Sequence, residues 1–414
     1  MRVLVLGGGI VGVTTAYLLA RDGHEVTLLE RNDAVARETS FANAGLMAPG
    51  HAYAWSSPRA PMMLLKSLYR DDQALRYRLT LDPRLWAWSW LFLRQCNAER
   101  ARINTLRKHK LCVFSQEVFR TIKSDERLAF DGREGGLLYL YRSQESFERG
   151  AANTQILSDD GQDLQIVDRE RAAEIDPALE PVKQQIAGAI YCPTDESGDA
   201  RLFTEALAET AQAHGVSFRF ATTIERIELE GERVVAVATD KGRYEADATV
   251  LALGCYSPDL AKPLGLKLPI YPVKGYSVTL PSGGNRRRPS IGGVDEDNLL
   301  AYAPLGERLR ITAIAEFAGF DTSHKPSDFH GMMKAARTLF PEGGDWEQPT
   351  YWAGLRPMTP EGTPILGRAK QANLFLNCGH GHMGWTMACG TARITADLIA
   401  GRRPEIDLEG LTLH

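Results

Sequence analysis

The sequence has little of what would mark a specialised scaffold. Its six cysteines, Cys96, Cys112, Cys192, Cys255, Cys378 and Cys389, are scattered. They form no C-x-x-C pair and no cysteine–histidine cluster, which excludes the common zinc modules. Several sit in apolar segments, where a free thiol packs as a small hydrophobe, so a reducing compartment is expected and a disulfide framework is not. No stretch reaches the roughly 18 uninterrupted apolar residues of a membrane span. Charge of neither sign dominates: the net charge is −4 over 414 residues, which gives no signal for nucleic acid or another polyanion. The local basic run Arg286-Arg287-Arg288 lies in a loop rich in glycine, serine and proline and reads as solvated surface. Repeats and low-complexity linkers are absent. What remains, 44% apolar and 24% charged, is the composition of a soluble globular protein. The length suits two domains with a large buried core.

The N-terminal stretch is the most informative. Arg2-Val3-Leu4-Val5-Leu6 is an apolar run suited to one buried strand. It breaks at Gly7-Gly8-Gly9, and the pattern Gly7-x-Gly9-x-x-Gly12 opens a helix predicted over 13–21 and closed by Asp22-Gly23. Glu25-Val26-Thr27-Leu28-Leu29-Glu30 is a second strand ending in an acid. In such a unit the first glycine permits a tight turn, the second lets a pyrophosphate approach the backbone, and the third lets helix and strand pack closely. Ile10 and Val11 begin the helix, whose free N–H groups and positive dipole end suit phosphates. Glu30 can accept from ribose hydroxyls, which favours FAD or NAD over NADP. The same glycines argue against a cleaved signal peptide, because its removal would destroy the turn.

Beyond Glu30 a polar loop runs through Arg31 to Ser40-Phe41-Ala42-Asn43-Ala44-Gly45, small enough to lie against a flat ring or a phosphate, and Leu46 follows. Met47-Ala48-Pro49-Gly50-His51-Ala52-Tyr53 brings two hydrogen-bonding rings together; by composition alone they are as readily surface decoration. Residues 60–123 read as helical. Within them Leu85-Trp86-Ala87-Trp88-Ser89-Trp90-Leu91-Phe92-Leu93, flanked by Arg84 and Arg94, is too short to cross a bilayer. A buried or subunit-contact helix is the plainer reading and a membrane-interface helix the alternative. A strand at 136–141, helices at 144–159 and 202–214 and a turn-rich link at 190–198 follow. Residues 216–221, 224–230 and 234–239 read as a β-meander. The run 248–254 is another buried strand that rejoins the first sheet. Strands at 269–280, 298–303 and 309–315 and a helix at 327–340 suit a second domain. The expected fold is α/β and α+β. A Rossmann-like nucleotide-binding domain (1–80, 201–260 and 346–414) is interleaved with a β-sheet-plus-helices substrate domain (81–200 and 261–345).

A second glycine turn, Gly379-His380-Gly381-His382-Met383-Gly384-Trp385, follows the strand Leu374-Phe375-Leu376-Asn377 and precedes a helix at 386–400. Its dipole can address another part of the cofactor. In a flavin, the N1–C2=O edge gains negative charge on reduction, so a positive field there favours the reduced form. No acid or cysteine is spaced to make His380 and His382 metal ligands, and no metal is expected. Arg356, in Trp352-Ala353-Gly354-Leu355-Arg356-Pro357-Met358-Thr359-Pro360, is held on a stiff segment where its fork suits a carboxylate. A core arginine paired with an internal acid is an equal reading.

Six segments, in order along essentially the whole chain, carry a common pattern. They are Leu6-Gly7-Gly8-Gly9-Ile10-Val11-Gly12, Gly23-His24-Glu25-Val26-Thr27, Glu38-Thr39-Ser40-Phe41-Ala42-Asn43-Ala44-Gly45, Tyr271-Pro272-Val273-Lys274-Gly275-Tyr276-Ser277, residues 354–364 and residues 381–390. This pattern resembles the FAD-dependent D-amino acid oxidase superfamily, which includes glycine oxidase and sarcosine oxidase, and within it the bacterial D-amino acid dehydrogenase (small subunit) group. The resemblance implies that Gly7, Gly9, Ile10, Val11, Gly12 and Glu30 hold the ADP half of FAD. It implies that Arg31, Ser40, Ala42, Asn43, Ala44, Gly45 and Leu46 line the pyrophosphate and flavin. Ile224, Gly254, Gly381, His382, Met383, Gly384, Trp385 and Thr386 would complete the cofactor site. Arg356 matches the arginine that binds the substrate carboxylate, Tyr276 would lie near the flavin, and His51 and Tyr53 at the substrate mouth. No cysteine stands where sarcosine oxidase attaches its flavin, so non-covalent FAD is expected. The implied reaction converts a D-alanine-like D-amino acid to a 2-oxo acid and ammonia, with hydride passing to flavin N5 and electrons going on to a quinone or another non-oxygen acceptor. A cytoplasmic protein is implied, with residues 86–90 as a candidate peripheral contact on the inner face of the membrane. D-proline or hydroxy-D-proline dehydrogenase, a glycine- or sarcosine-type oxidase, and a flavin-binding electron-transfer subunit inactive alone remain open.

Overall fold

The computed structural model describes residues 1–67, 75–78, 81–284 and 287–413. Arg286 of the basic run lies outside them, as do parts of the helical region expected over 60–123.

Two sheets divide the chain. Among the described residues the first has six strands in the order Ile365–Arg368, Leu374–Cys378, Ala248–Leu251, Arg2–Leu6, Glu25–Leu29 and Ser217–Arg219. Arg2–Leu6 is central and runs parallel to both its neighbours. Its residues alternate between two cores. Val3 and Val5, with Val26, Leu28 and Val250, pack beneath helices Ile10–Arg21, Ala200–Ala213 and Gly384–Ile399. Leu4 and Leu6 pack with Ile227, Val234 and Val237 of a three-stranded sheet on the opposite face. Burial on both faces explains why these strands are short continuous apolar runs. At the first turn, Gly7 adopts φ +111°, and a Cβ on Gly12 would lie 1.9 Å from the Gly7 carbonyl oxygen. Gly12 is therefore a packing glycine, as expected.

Three assignments differ from the sequence reading. The meander comprises Ile224–Glu230, Arg233–Thr239 and Gly242–Tyr244. Ser217–Arg219 belongs instead to the edge of the first sheet, because helix Ala200–Ala213 acts as a crossover that returns the chain parallel to Glu25–Leu29. The long helix Ala98–Glu126 falls within the span expected for the substrate domain, yet it packs on the first domain's helices. Phe119 and Ile122 share their core, and Ser115 Oγ accepts from Gly390 N at 2.9 Å. Thr350–Met358 was expected with the returning nucleotide domain, but it is a strand of the second sheet and only the later strands rejoin the first.

That second sheet has nine strands among the described residues. Its order from one edge is Thr350–Met358, Tyr271–Pro281, Arg308–Phe317, Leu300–Leu305, Gly292–Asp295, Leu137–Tyr141, Gly188–Cys192 and Gln165–Val167, with Leu75–Tyr77 joined to Arg308–Phe317. One face is covered by helix His330–Leu339 and the 169–185 segment, giving a core of Tyr276, Val278, Ile311, Phe329 and Met332 among others. The other face looks onto the first domain across a cavity.

The aromatic helix Pro83–Gln95 is split by its period. Leu85, Trp88 and Phe92 are buried, and Trp88 Nε1 donates to the Met358 carbonyl at 2.9 Å, bracing the strand that carries Arg356. Trp86 and Trp90 are exposed.

Candidate active site

The cavity between the two sheets has a volume of about 940 Å³ and runs from the Gly7 turn to Arg356. This is at the upper end of the usual range for ligand sites. Gly7, Gly9, Ile10, Val11, Glu30 and Arg31 line it at the first turn. Glu30 is buried. Its Oε2 accepts from Gly8 N at 2.7 Å, and its Oε1 accepts from Asn32 N at 2.8 Å and Asn32 Nδ2 at 2.7 Å. A carboxylate has about four acceptor sites, so one remains for a ribose hydroxyl. Ser40 Oγ accepts from Ile10 N at 3.1 Å and keeps its own proton for a phosphate. Arg31 pairs with Glu38 and lies 4.0 Å over the Tyr256 ring. Although burial opposes its charge, Tyr256 and Glu38 raise its pKa.

Ala42, Asn43, Ala44, Leu46, Ile224 and Gly254 continue the lining, which closes at Gly381, His382, Met383, Gly384, Trp385 and Thr386. Gly12 and Gly45 are outside it. Gly12 packs on Gly7, and Gly45 takes φ +74° beside the Gly198 carbonyl, so both shape the backbone behind the site. Helices Ile10–Arg21 and Gly384–Ile399 both begin without a side-chain cap, at Gly9 and Met383, and both open on the cavity. Beyond the Ile10 N–H that Ser40 accepts, the N–H groups at these two helix ends suit an anionic, electron-accepting ligand. His382 stacks on Trp55 at 4.7 Å and is kept neutral by burial, reinforced by the charges of Lys108, Arg356 and His51. His380 is buried against Thr391 Oγ1 at 3.0 Å, with its pKa pushed down to about 3. Neither belongs to a metal-binding cluster among the described residues. The donors, glycines and acid present fit FAD.

Arg356 is the cation at the end of the cavity away from Arg31 and the first turn. Its Nη1 donates to the Ile314 carbonyl at 3.0 Å, and no carboxylate among the described residues pairs with it. Burial lowers its pKa to about 10, which still leaves it charged at neutral pH. Two backbone features make room for it. A Cβ on Gly275 would lie 2.6 Å from the guanidinium carbon, so any other residue there would push the guanidinium from this position. Ile314 stands at φ +62°, at a register shift between Gly275 and Tyr276 where the strand bulges. A β-branched residue in that region is strained by on the order of 1–3 kcal/mol. Here the strain turns a carbonyl onto Arg356.

Tyr276 corrects an expectation. It is among the residues that border the cavity, but Gly275 faces Arg356, so by strand alternation the Tyr276 side chain is directed away from the guanidinium. Its ring packs edge-on to Phe329 at 5.2 Å, and its hydroxyl donates to the buried Glu316, which Arg78 also contacts. It is a core residue behind the site.

His51 and Tyr53 do line the cavity, and the structure joins to them a residue the sequence reading missed, Glu296. His51 Nε2 lies 2.7 Å from Glu296 Oε1, with the ring stacked on Tyr139 at 4.9 Å and edge-on to Tyr53 at 5.8 Å. Burial disfavours a charged His51, but Glu296 outweighs it and the pKa is raised. Lys108, buried on the long helix, donates to the Tyr53 carbonyl, and Thr105 Oγ1 accepts from Ala54 N at 3.0 Å. The long helix thereby pins the His51–Tyr53 loop.

A cavity lined by two helix N-termini and by an arginine with no carboxylate paired to it among the described residues fits a flavin-dependent oxidoreductase. The chain belongs to the FAD dependent oxidoreductase family, whose model matches residues 2–398. It is 48% identical over 412 residues to D-amino acid dehydrogenase 2 of Mesorhizobium japonicum, covering 99% of each chain. It is 42% identical over 413 residues to D-amino acid dehydrogenase of Azorhizobium caulinodans, covering 100% of this chain and 99% of that one. Glycine oxidase from Bacillus cereus shares the fold, with a TM-score of 0.76 at 22% identity over 99% of this chain and 97% of that one.

Tyr276→Phe is expected to keep kcat/KM within about threefold while costing about 1–3 kcal/mol of stability, because it removes the hydrogen bond to one oxygen of a buried acid and leaves only Arg78 on the other. Steady-state kinetics and urea unfolding check this, and a large kinetic loss would return Tyr276 to the site. Lys108 has its pKa lowered to about 8 by burial, from 10.5. The folded value lies below the unfolded one, so the penalty is fully present below pH 8 and gone above pH 10.5. The stability of the wild type relative to Lys108→Met should rise by about 3 kcal/mol across that window. A pH-independent difference in urea unfolding would contradict it.

Proposed function

We propose that the protein carries out FAD-dependent oxidative deamination of D-amino acids to 2-oxo acids and ammonia, with Arg356 anchoring the substrate carboxylate. The observation that carries this reading is the buried, charged Arg356, which faces the cavity without an acid of its own. The D-configured substrate class follows the names of the relatives aligned along the full chain. FAD, when bound, supplies the two-electron acceptor. The protein's part is to bind and orient. Arg356 fixes the carboxylate through a two-pronged contact. Gly275 and the Ile314 carbonyl hold the guanidinium at one point. Neutral His382 adds no competing charge beside it. Positioning of this kind supplies much of the rate in such reactions.

The reading extends to a non-oxygen electron acceptor reached at a membrane surface. Its support is a group of exposed apolar side chains on two neighbouring helices and the segment between them: Met62, Leu65, Leu81, Trp86, Trp90 and Leu93. Among the described residues no helix is long and apolar enough to cross a membrane. Trp86→Ser/Trp90→Ser should abolish co-sedimentation with lipid vesicles, and unchanged co-sedimentation would remove this extension.

Anaerobic titration of the purified holoenzyme with D-alanine, L-alanine, glycine and D-proline, followed by the visible flavin absorption, tests the main reading. Bleaching by a D-amino acid and not by L-alanine is expected. A flavin that no amino acid bleaches would overturn the reading in favour of an electron-transfer subunit.

A further inference from the structure

The cavity has a second pole that anchoring a carboxylate does not use. Glu296, His51, Tyr53 and Tyr141 line it together. Strand registers place it relative to Arg356. Val294 pairs with Ala301, and Ala301 with Thr312. Glu296 opens the turn that follows Gly292–Asp295, and Ile314 is the bulged residue of a strand two places away across the sheet, with Leu300–Leu305 between. The Ile314 carbonyl receives Arg356. Arg356 and Glu296 therefore reach the same cavity from separate strands. A substrate with its carboxylate on Arg356 can address both poles when its side chain carries a polar atom on Cβ or Cγ.

The chemistry of the pole selects the kind of polar atom. Glu296 Oε1 is 2.7 Å from His51 Nε2, and a carboxylate oxygen with this one partner retains acceptor capacity. The Tyr53 hydroxyl has only a long 3.5 Å contact to the Asn153 carbonyl. Behind them Asp195 is satisfied by Tyr139 at 2.5 Å and by Gly50 N at 3.0 Å, and Lys108 by the Tyr53 carbonyl. The acid and the imidazole thus face each other as a balanced pair. A cationic side chain would compete with His51 for Glu296, and an anionic one would face Glu296 directly. Either leaves a buried charge uncompensated. A neutral hydroxyl or carboxamide can donate to Glu296 and accept from Tyr53 without disturbing the pair.

We propose that Glu296, held by His51, is a specificity residue that selects amino acids bearing a neutral hydrogen-bonding group on Cβ or Cγ. The proposal rests on the carboxylate anchor at Arg356. It is tested with isosteric pairs on the holoenzyme: D-threonine against D-valine, D-asparagine against D-leucine, and D-lysine as the charged rival. The polar member should lead in kcat/KM by at least about tenfold in each pair, since a site built to hydrogen-bond discriminates against an analogue lacking the group. In Glu296→Leu that ratio should fall towards one. Equal pairs in the wild type, a lead for D-lysine, or an unchanged ratio in Glu296→Leu would overturn the proposal. Dissociation constants for 3-hydroxybutyrate and butyrate, read from perturbation of the flavin spectrum, need no turnover. Tighter binding of the hydroxy acid without oxidation of any amino acid would support the specificity pole and remove the proposed reaction. Equal binding would overturn the pole even where D-amino acids are oxidised.

Discussion

A guanidinium held inside a protein without a carboxylate costs several kcal/mol of lost hydration, and the strands around Arg356 are shaped by that cost. Gly275 lacks a side chain where the guanidinium lies. Ile314 is bent to φ +62° to offer a carbonyl. Trp88 reaches from a neighbouring helix to the Met358 carbonyl on the strand that carries the arginine. Each arrangement is unfavourable or restrictive locally, and together they keep one positive charge facing a cavity. A substrate carboxylate placed on Arg356, as proposed, would repay that cost on binding and make the site selective for acids before any side chain is read.

The two domains divide the remaining work by backbone chemistry. The first contributes uncapped helix ends, which bind through N–H groups and need almost no particular side chains. The second contributes a sheet face, where alternate residues project into the cavity and the others into a core beneath helix His330–Leu339. The long helix Ala98–Glu126 links them. It packs on the first domain's helices and clamps the loop carrying His51 and Tyr53 through Lys108 and Thr105.

The cofactor half of the site was legible in sequence because its logic is local. Turn glycines, helix starts and a strand-ending acid fall within a short stretch, and Gly7, Gly9 and Glu30 lie where that logic puts them. The substrate half was legible only in part. Arg356 could be named, but whether it faced an internal acid depended on strands distant in sequence. Tyr276 sits next to Gly275 in a shared motif, yet a one-residue step along a strand reverses the face, and nothing local says which residue looks at the cavity. Glu296 had no motif at all; it meets His51 only because Gly292–Asp295 pairs with Leu137–Tyr141, whose Tyr139 stacks on that imidazole. Residues 217–219 look like the first strand of a meander, and only the crossover helix before them decides which sheet they join.

The most direct measurement is the dissociation constant of an unreactive carboxylate such as glycolate, read from the flavin spectrum of the wild type and of Arg356→Leu at neutral pH. Loss of a charge-assisted, two-pronged contact of about 3 kcal/mol corresponds to binding weaker by roughly a hundredfold, with the flavin still bound. Equal affinities in the two proteins would contradict the account, and the carboxylate anchor would have to be sought elsewhere in the cavity.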